Sequence, residues 1–398
     1  MVELRVGLVV LESGERLPLL IGEEGVPLFR PTVWLMTMRR AANRATATLQ
    51  ANLFALKVLY SWAAVRDVNL EGRMIAGEYL QSHELASLAD AARWFLLDRD
   101  RSGGITRQVE TSNAANRLRT IGMYLRWLTQ EGIFRQERGA TTLLLRMRDE
   151  MLVSLGARTP KASRRNVLGR REAPPPEAME RLLSVIDLDA PENPWADIGL
   201  RVRNRLLIHV LLGMGVRRGE ALGLKVENID LRQNQVLIAR NADDPLDPRR
   251  QQPLAKTLDR ILPIEDSLAE MLRHYIVYIR SKFLKARRHP FLFVSHQDGS
   301  PLALNSANKV LRTLREKVPG LPSDLSPHLL RHAWNDAFSQ RMDTLHVDHA
   351  REEQLRSAMM GWKPQSGTSA LYNVRHVRKA AEALSIKGQE DLNGRRDG

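Results

Sequence analysis

The first forty residues carry an apolar pattern that differs from the pattern of the residues after them. Apolar side chains occupy every second position from 4 to 10, which is the period of a half-buried strand. A turn signal at Ser13-Gly14 separates this segment from a second apolar run over 17–21. The pattern predicts a small β hairpin or sheet, and we assign residues 1–36 to an N-terminal β extension of unknown role.

From residue 46 onward, apolar residues recur at steps of three and four, which is the period of one face of an α-helix. The spacing is clear at 49–60 and again at 118–128, and a further helical stretch lies at 85–97. Residues 37–156 are therefore predicted to form an all-helical domain.

A short segment after the helical domain has the composition of a linker. Residues 157–171 contain six basic residues and no acidic one, and the chain then runs into three consecutive prolines at 174–176. Few apolar residues, one sign of charge and a proline block are typical of an extended linker, which we place at 157–173.

The remainder of the chain has a mixed pattern and shows no internal repeat. We predict a domain over residues 174–387 that combines helices with a few short strands, followed by a polar tail at 388–398. The predicted elements are a buried helix at 206–212, strands at 235–238 and 260–264, and helices at 268–284, 305–317, 326–341 and 352–360.

Composition then narrows the possible functions. The 398 residues are 43% hydrophobic, which is enough for a buried core. The chain has no cysteine, which excludes a disulfide scaffold, a cysteine-ligated zinc site and a thiol nucleophile. A net charge of +14 and a pI of about 10.4 favour a polyanionic partner, either nucleic acid or an anionic membrane surface.

Of these two partners, the membrane has little support in the sequence. The longest uncharged apolar stretch, 206–216, is far shorter than the roughly 20 residues that a membrane-spanning helix needs. The N-terminus has no basic segment followed by an apolar block, as a signal peptide would have. Nucleic acid is therefore the favoured partner, and the cytoplasm is the expected location.

The basic linker is a candidate surface for that partner. It can follow a phosphate backbone, where each neutralised phosphate adds salt-dependent affinity, although a plainly solvated linker is the alternative. The same two interpretations apply to arginines of the helical domain. The arginines expected to contact nucleic acid are Arg164, Arg165, Arg170 and Arg171 in the linker and Arg44 and Arg117 in the helical domain.

One segment near residue 330 combines a helix start with residues that can bind an anion. Ser326 as the N-cap and Pro327 at the first helical position predict that a helix begins here. His328 and Arg331 are three residues apart, so both project from one face at the helix end that suits a phosphate group. His332 is expected to point elsewhere and to be structural.

Two further residues complete a coherent set. Arg217 follows a helical run that ends in glycine, where its guanidinium can point at a ligand, although most such arginines are on the surface or ion-paired. Tyr372 stands ten residues after Trp362, although an arbitrary tyrosine is more often part of a core. Phosphoryl chemistry needs cations on the non-bridging oxygens and a nucleophile in line, and these residue types supply both.

Taken together, five segments resemble the conserved boxes of the tyrosine recombinases, which are also called phage integrases. They occur in the family's order, behind a basic helical domain. Any one box is a weak motif, but five in order are specific, and the resemblance covers the C-terminal half of the chain. The segments are Met214–Leu222, Ala255–Ile264, His328–His332, Met360–Trp362 and Tyr372.

The resemblance implies a fold and an activity. The fold is mainly α with small β, with an all-helical core-binding domain and a mixed α+β catalytic domain. The activity is site-specific recombination of double-stranded DNA, of the integrase and excisionase type found in mobile elements, without ATP, metal or other cofactor. Self-assembly on DNA is implied as well, with a dimer on each site, a tetramer in synapsis and a location at the nucleoid.

The resemblance also implies a role for each residue of the site. Tyr372 is the nucleophile, the two arginines bind the phosphate, His328 assists the tyrosine, and Lys256 protonates the leaving oxygen. The loop before Lys256 is long and contains the pair Arg249-Arg250, so a nearby basic residue is the alternative acid. The implied catalytic residues are Arg217, Lys256, His328, Arg331, Trp362 and Tyr372.

Four other functions are considered at this point. A dimer resolvase of chromosomes, plasmids or transposons belongs to the same family, and a type IB topoisomerase shares the catalytic set. A DNA-binding relative without catalytic activity is disfavoured by the intact tyrosine and the paired arginines, and a plain basic interaction module is disfavoured by the five ordered boxes. The sequence does not indicate the DNA site or any accessory protein.

Overall fold

The structure is a computed structural model in which the chain divides into two compact units, residues 1–169 and 170–398. Each unit is described by itself below. The residues described are 3–42, 44–94, 108–134, 138–161, 174–253, 257–363 and 384–386.

The first unit opens with the antiparallel hairpin that the alternating pattern predicts. Strand β1 (Arg5–Val10) pairs with β2 (Arg16–Ile21), and Val6 lies opposite Leu20. Leu20 is fully buried in a hydrophobic core that it shares with residues of the helices. The hairpin and the helices of this unit therefore fold around one core.

Helices make up most of the rest of the first unit. The apolar faces predicted at 49–60 and 118–128 are confirmed as buried faces of α2 and α5. One helix, α1, begins inside the range assigned to the β extension, because Pro31 fits the first turn of a helix, where its missing N–H is not needed. The described elements are α1 (Phe29–Trp34), a π-helical segment (Leu35–Arg40), α2 (Thr46–Val65), α3 (Leu70–Ala76), α4 (Ser82–Ala91), α5 (Thr111–Phe134) and α6 (Arg138–Ala157).

The second unit is also mainly helical, and the helices predicted at 305–317, 326–341 and 352–360 are confirmed. The helix predicted at 268–284 is continuous only to His274 and then changes to a π-helical and a 3₁₀ segment. The described helices are α7 (Pro176–Val185), α8 (Ile198–Gly213), α9 (Arg218–Gly223), α10 (Asp266–His274), α11 (Leu304–Lys317), α12 (Pro327–Thr344) and α13 (His349–Met360).

A small antiparallel sheet completes the second unit, in the order β3 (Ile229–Asp230), β4 (Gln235–Ile238) and β5 (Arg260–Pro263). Ile238, the last residue of β4, pairs with Arg260, the first residue of β5. The connection that contains Lys256 therefore leaves and re-enters the sheet at neighbouring strand ends. The predicted strands are thereby confirmed, and the fold is mainly helical with small sheets.

Apolar residues of the motifs anchor the predicted site to the core of the second unit. Val216 and Leu222 are buried on either side of the turn that carries Arg217, and Leu330 is buried next to Arg331. Among the described residues, no helix is both long enough and apolar enough to cross a membrane.

Candidate active site

A glycine turn after α8 positions Arg217. The backbone of Gly215 has φ +60°, a conformation that side chains disfavour. A Cβ at this glycine would lie 2.6 Å from Cδ2 of Trp334, so the turn also needs the space that glycine leaves. The chain then enters α9 with Arg217 as the N-cap residue, and about one third of the Arg217 side chain is exposed.

The helix start predicted at Ser326 is confirmed. The Ser326 hydroxyl accepts a hydrogen bond from the backbone N–H of Leu329 at 3.3 Å, and Pro327 is the first residue of α12. Both features satisfy or remove N–H groups that a helix N-terminus leaves without intrahelical partners. The first turn of α12 carries His328, which is exposed, and the second begins with Arg331, which is buried.

Arg331 brings two of the motifs together. Its Nη1 atom donates a hydrogen bond of 2.6 Å to the carbonyl oxygen of Gly215, in the turn that precedes Arg217. The side chain is only 3% exposed, and its guanidinium carbon lies 5.8 Å from the centre of the Trp362 indole. The structure therefore joins the arginine turn, the start of α12 and the tryptophan that follows α13.

A buried carboxylate, Glu220, lies between the two arginines. It accepts a hydrogen bond from the backbone N–H of Arg217 at 2.9 Å, and it lies 3.4 Å from Nη1 of that arginine. Its distance to Nη1 of Arg331 is 4.0 Å. Burial alone would raise the pKa of Glu220, but the charge and hydrogen bond of Arg260, together with the hydrogen bonds from the Arg217 backbone N–H and the Thr257 hydroxyl, outweigh burial, so the pKa is lowered and the carboxylate stays ionised.

The residues after Lys256 are tied to the same carboxylate. Thr257 donates to Glu220 at 2.7 Å, and the backbone N–H of Leu258 donates to the carbonyl oxygen of Gly361 at 2.9 Å. Gly361 ends α13 with φ +64°, and a Cβ there would lie 2.7 Å from the carbonyl oxygen of Leu258. This close approach places the lysine segment beside the tryptophan box.

The two histidines of α12 lie together, which corrects the expectation for His332. The Nε2 atoms of His328 and His332 are 3.0 Å apart, and their ring centres are 4.4 Å apart. Residues four apart share one face of a helix, so His332 does not point elsewhere. A hydrogen bond between the rings requires a proton on one nitrogen and a lone pair on the other, which links the tautomers of the two side chains.

A small hydrophobic cluster, mostly aromatic, supports the turn that carries Arg217. Trp334, Phe338, Met360 and Trp362 form a hydrophobic cluster separate from the main core of the unit. The Trp334 indole N–H donates to the carbonyl oxygen of Gly213 at 3.0 Å, which fixes the end of α8. In the sequence, Met360 and Trp362 stand out as part of a motif, whereas no motif indicates Trp334 and Phe338 or their role in supporting the arginine turn.

Comparison with known proteins decides the family. Residues 179–372 match the model of the phage integrase family, a range that includes all five predicted boxes. This part of the chain belongs to the phage integrase family of tyrosine recombinases.

Curated relatives from this family match only part of the chain. The tyrosine recombinase XerD of Corynebacterium glutamicum is 32% identical over 143 residues, which are 35% of this chain and 41% of XerD. The tyrosine recombinase XerC of Halalkalibacterium halodurans is 27% identical over 40% of this chain and 46% of XerC. The chain thus spans about half the length, or less, of these two relatives.

Among solved structures, the fold resembles the Tn1549 transposon integrase in complex with circular intermediate DNA. The TM-score is 0.50 at 14% sequence identity, and the likeness covers 87% of this chain and 95% of that integrase chain. At this identity the likeness shows the fold alone.

Within the phage integrase domain, the structure addresses one alternative for the acid. The side chain of Arg249 is buried and forms a two-pronged pair with Asp247, at 2.8 and 2.9 Å. Its third nitrogen, Nη1, donates to the carbonyl oxygens of Leu222 and Leu302. A guanidinium whose nitrogens are all held by Asp247 and by two backbone carbonyl oxygens has a structural role and is not placed to donate a proton to a substrate.

Several predicted residues fall outside the part of the chain that the structure describes. These are Lys256, Tyr372, Arg164, Arg165, Arg170 and Arg171, whose roles stay predictions. Of the two arginines predicted in the helical domain, Arg44 is exposed just before α2. Arg117 donates to the carbonyl oxygens of Ala92 and Trp94 at 3.0 and 2.7 Å, so it holds the chain that follows α4, and its contact with DNA stays a prediction.

Proposed function

We propose that this protein is a site-specific DNA recombinase that cuts and rejoins double-stranded DNA through a 3′-phosphotyrosine intermediate. The observation that carries the proposal is the contact between two motifs far apart in sequence. Arg331 donates to the carbonyl oxygen of Gly215, 116 residues earlier, in the turn before Arg217. Membership of residues 179–372 in the phage integrase family supports the same activity.

In this proposal Arg217 and Arg331 bind the non-bridging oxygens of the scissile phosphate. The transition state of the transfer carries extra negative charge, which two guanidinium groups stabilise through charge-assisted hydrogen bonds. The ionised Glu220 beside both side chains holds them in place and offsets their mutual repulsion when no DNA is bound.

Tyr372 supplies the nucleophile. Its phenolic oxygen attacks the phosphorus, the bond from phosphorus to the 5′ oxygen breaks, and a 3′-phosphotyrosine and a free 5′-hydroxyl result. A free tyrosine phenol has a pKa of about 10 and is protonated at neutral pH. The proton therefore has to leave during the attack, and His328 accepts it or holds it in a hydrogen bond. The 3.0 Å contact from His332 orients the His328 ring for this role.

Lys256 acts as the general acid that protonates the 5′ oxygen as it leaves. Trp362 packs its ring against the Arg331 guanidinium, with the guanidinium carbon 5.8 Å from the ring centre. Rejoining is the reverse attack by a 5′-hydroxyl. Because the phosphotyrosine conserves the energy of the broken bond, the proposed reaction needs neither ATP nor metal.

As the more specific form, we propose an integrase of a mobile element that assembles as a dimer on each site and as a tetramer in synapsis. Resolution of chromosome or plasmid dimers by the same chemistry is the second candidate. Paired repeats flanking the gene, with a circular excised product, would favour the integrase, whereas a single site acted on in circular dimers would favour the resolvase.

A covalent adduct on DNA tests the proposal. The site is first selected from random duplexes by binding to the whole protein, and a nicked suicide version of that site is then incubated with protein. We expect a complex that survives denaturing electrophoresis with the wild type and is lost in Tyr372→Phe, whereas DNA binding is retained. Tyr278→Phe, which alters an exposed tyrosine of α10's π-helical extension, is the matched control and should keep the adduct.

A plasmid relaxation assay with the same protein distinguishes a recombinase from a topoisomerase. A type IB topoisomerase relaxes supercoiled plasmid that lacks the selected site, whereas the proposed recombinase leaves such a plasmid supercoiled. Adduct formation by Tyr372→Phe, or relaxation without a site, would contradict the proposed function.

A further inference from the structure

Arg260 is a buried arginine that contacts three separate parts of the candidate active site. It is the first residue of β5 and is 9% exposed. Its Nη2 donates to Glu220 at 2.9 Å, its Nη1 donates to the Thr257 hydroxyl at 3.0 Å, and its Nε donates to the carbonyl oxygen of Met359 at 2.7 Å. Each nitrogen of the guanidinium thus holds a different segment.

These three acceptors belong to the elements that carry the proposed catalytic groups. Glu220 pairs with Arg217, Met359 belongs to the last turn of α13 before Trp362, and Thr257 is the residue directly after Lys256. Thr257 also donates to Glu220 at 2.7 Å, so Arg260, Thr257 and Glu220 form a closed triangle of hydrogen bonds.

The triangle fixes the position of Thr257, the residue directly after Lys256 in the chain. A buried carboxylate and a buried guanidinium each lose hydration, and they offset this loss only through paired, well-placed hydrogen bonds. The rigid fork of arginine can serve three acceptors at once, whereas the ammonium of lysine on a flexible chain cannot reproduce that planar geometry. The position of residue 257 is therefore set by Arg260 rather than by packing alone.

We propose that Arg260 is a positioning residue, which holds the Lys256-bearing loop in register with the Arg217 turn and with the end of α13. The inference rests on the proposed function and extends it. Arg260 does not touch DNA in this account. It acts on the step in which the 5′ oxygen leaves, because a displaced loop moves the acid away from that oxygen.

A substrate that needs no acid tests this inference. A 5′-phosphorothiolate linkage at the scissile position leaves as a thiolate, which requires no proton. With Arg260→Met, cleavage of the ordinary oxygen substrate should slow by about 10- to 100-fold, the effect expected when a catalytic group is misplaced by about 1 Å. Cleavage of the phosphorothiolate substrate by Arg260→Met should stay within a few-fold of the wild-type rate. Lys256→Ala should likewise cleave the oxygen substrate slowly and the phosphorothiolate substrate at close to the wild-type rate.

Two further variants protect the test against loss of folding. Arg260→Lys keeps the positive charge beside Glu220 but loses the fork, and Thr257→Val removes the hydroxyl at the other corner of the triangle. Both should slow the oxygen substrate more than the thiolate substrate. Arg249→Met is the matched control, because it removes a similarly buried arginine that pairs with Asp247 instead, and it should change both rates by the same factor.

The outcomes separate the two levels of the account. If the wild type forms no covalent adduct with either substrate, the proposed function fails and this inference fails with it. If the wild type reacts but the Arg260 and Thr257 variants slow both substrates equally, as Arg249→Met does, the positioning role is wrong while the recombinase assignment stands.

Discussion

Replacing Gly215 by alanine perturbs the turn that presents Arg217, and the structure sets the size of the effect. The left-handed backbone at φ +60° costs alanine about 1–2 kcal/mol. The new Cβ would lie 2.6 Å from the Trp334 indole, which cannot swing away without losing its 3.0 Å hydrogen bond to Gly213. Such overpacking typically costs about 1–3 kcal/mol.

The two costs together predict a loss of about 2–5 kcal/mol in the free energy of unfolding for Gly215→Ala. Domains are stable by about 5–15 kcal/mol, so the variant should still fold at low temperature. Urea denaturation followed by tryptophan fluorescence measures the loss. Because the turn shifts Arg217, adduct formation on a suicide substrate should also slow by about tenfold or more.

Gly213→Ala is the matched control, two residues away. A Cβ at Gly213 meets nothing within 4 Å, and this residue ends α8, where alanine is a better helix former by about 0.5–1 kcal/mol. This control should unfold at the same or a higher urea concentration than wild type and should react at the wild-type rate. Equal stability and equal rates for the two alanine variants would refute the reasoning.

Three other variants test separate parts of the account. In Glu220→Gln the neutral amide cannot form the ion pair with Arg260. Because the folded-state pKa of Glu220 is lowered from 4.5, the stability advantage of wild type over this variant should be full above about pH 4.5 and should shrink as the pH falls through the lowered pKa. Urea unfolding of both proteins at a series of acidic pH values measures this difference. Trp334→Phe removes the indole N–H that donates a hydrogen bond to the carbonyl oxygen of Gly213, so it should lower the free energy of unfolding by about 1 kcal/mol and slow adduct formation. An unchanged free energy of unfolding together with an unchanged rate of adduct formation would contradict the supporting role of this indole. Replacing the four linker arginines named above by glutamine should flatten the log–log salt dependence of DNA binding by a few units at most, and an unchanged slope would mean that the linker does not contact phosphates.

The fold was largely predictable because its elements follow simple periods. The alternating residues of 4–10 and the three- and four-residue steps of 49–60 gave the hairpin and the long helix α2, and Ser326 with Pro327 marked the start of α12. The break after His274 was not predictable, since the π-helical segment Tyr275–Ile279 is a single turn of five residues, too short to change the apolar pattern visibly.

The candidate site was predictable in its motifs but not in its supporting contacts. Glu220 and Arg260 are charged residues that a sequence pattern assigns to the surface, yet both are buried because they pair with each other. That pairing links residues 40 positions apart, so no local period reveals it. His332 is misplaced for a different reason: the motif singles out His328 and Arg331, whereas the four-residue spacing of the two histidines puts them on one face of α12.

The central claim is that Tyr372 becomes covalently linked to the 3′ end of cleaved DNA. Trapping the adduct on a suicide substrate, digesting protein and DNA, and sequencing the remaining peptide by mass spectrometry tests it most directly. The account predicts a phosphotyrosine at Tyr372 joined to a 3′ nucleotide, with a free 5′-hydroxyl on the other DNA fragment. An adduct on another tyrosine, a linkage to a 5′ end, or cleaved DNA that carries a 5′-phosphate and no protein would contradict it.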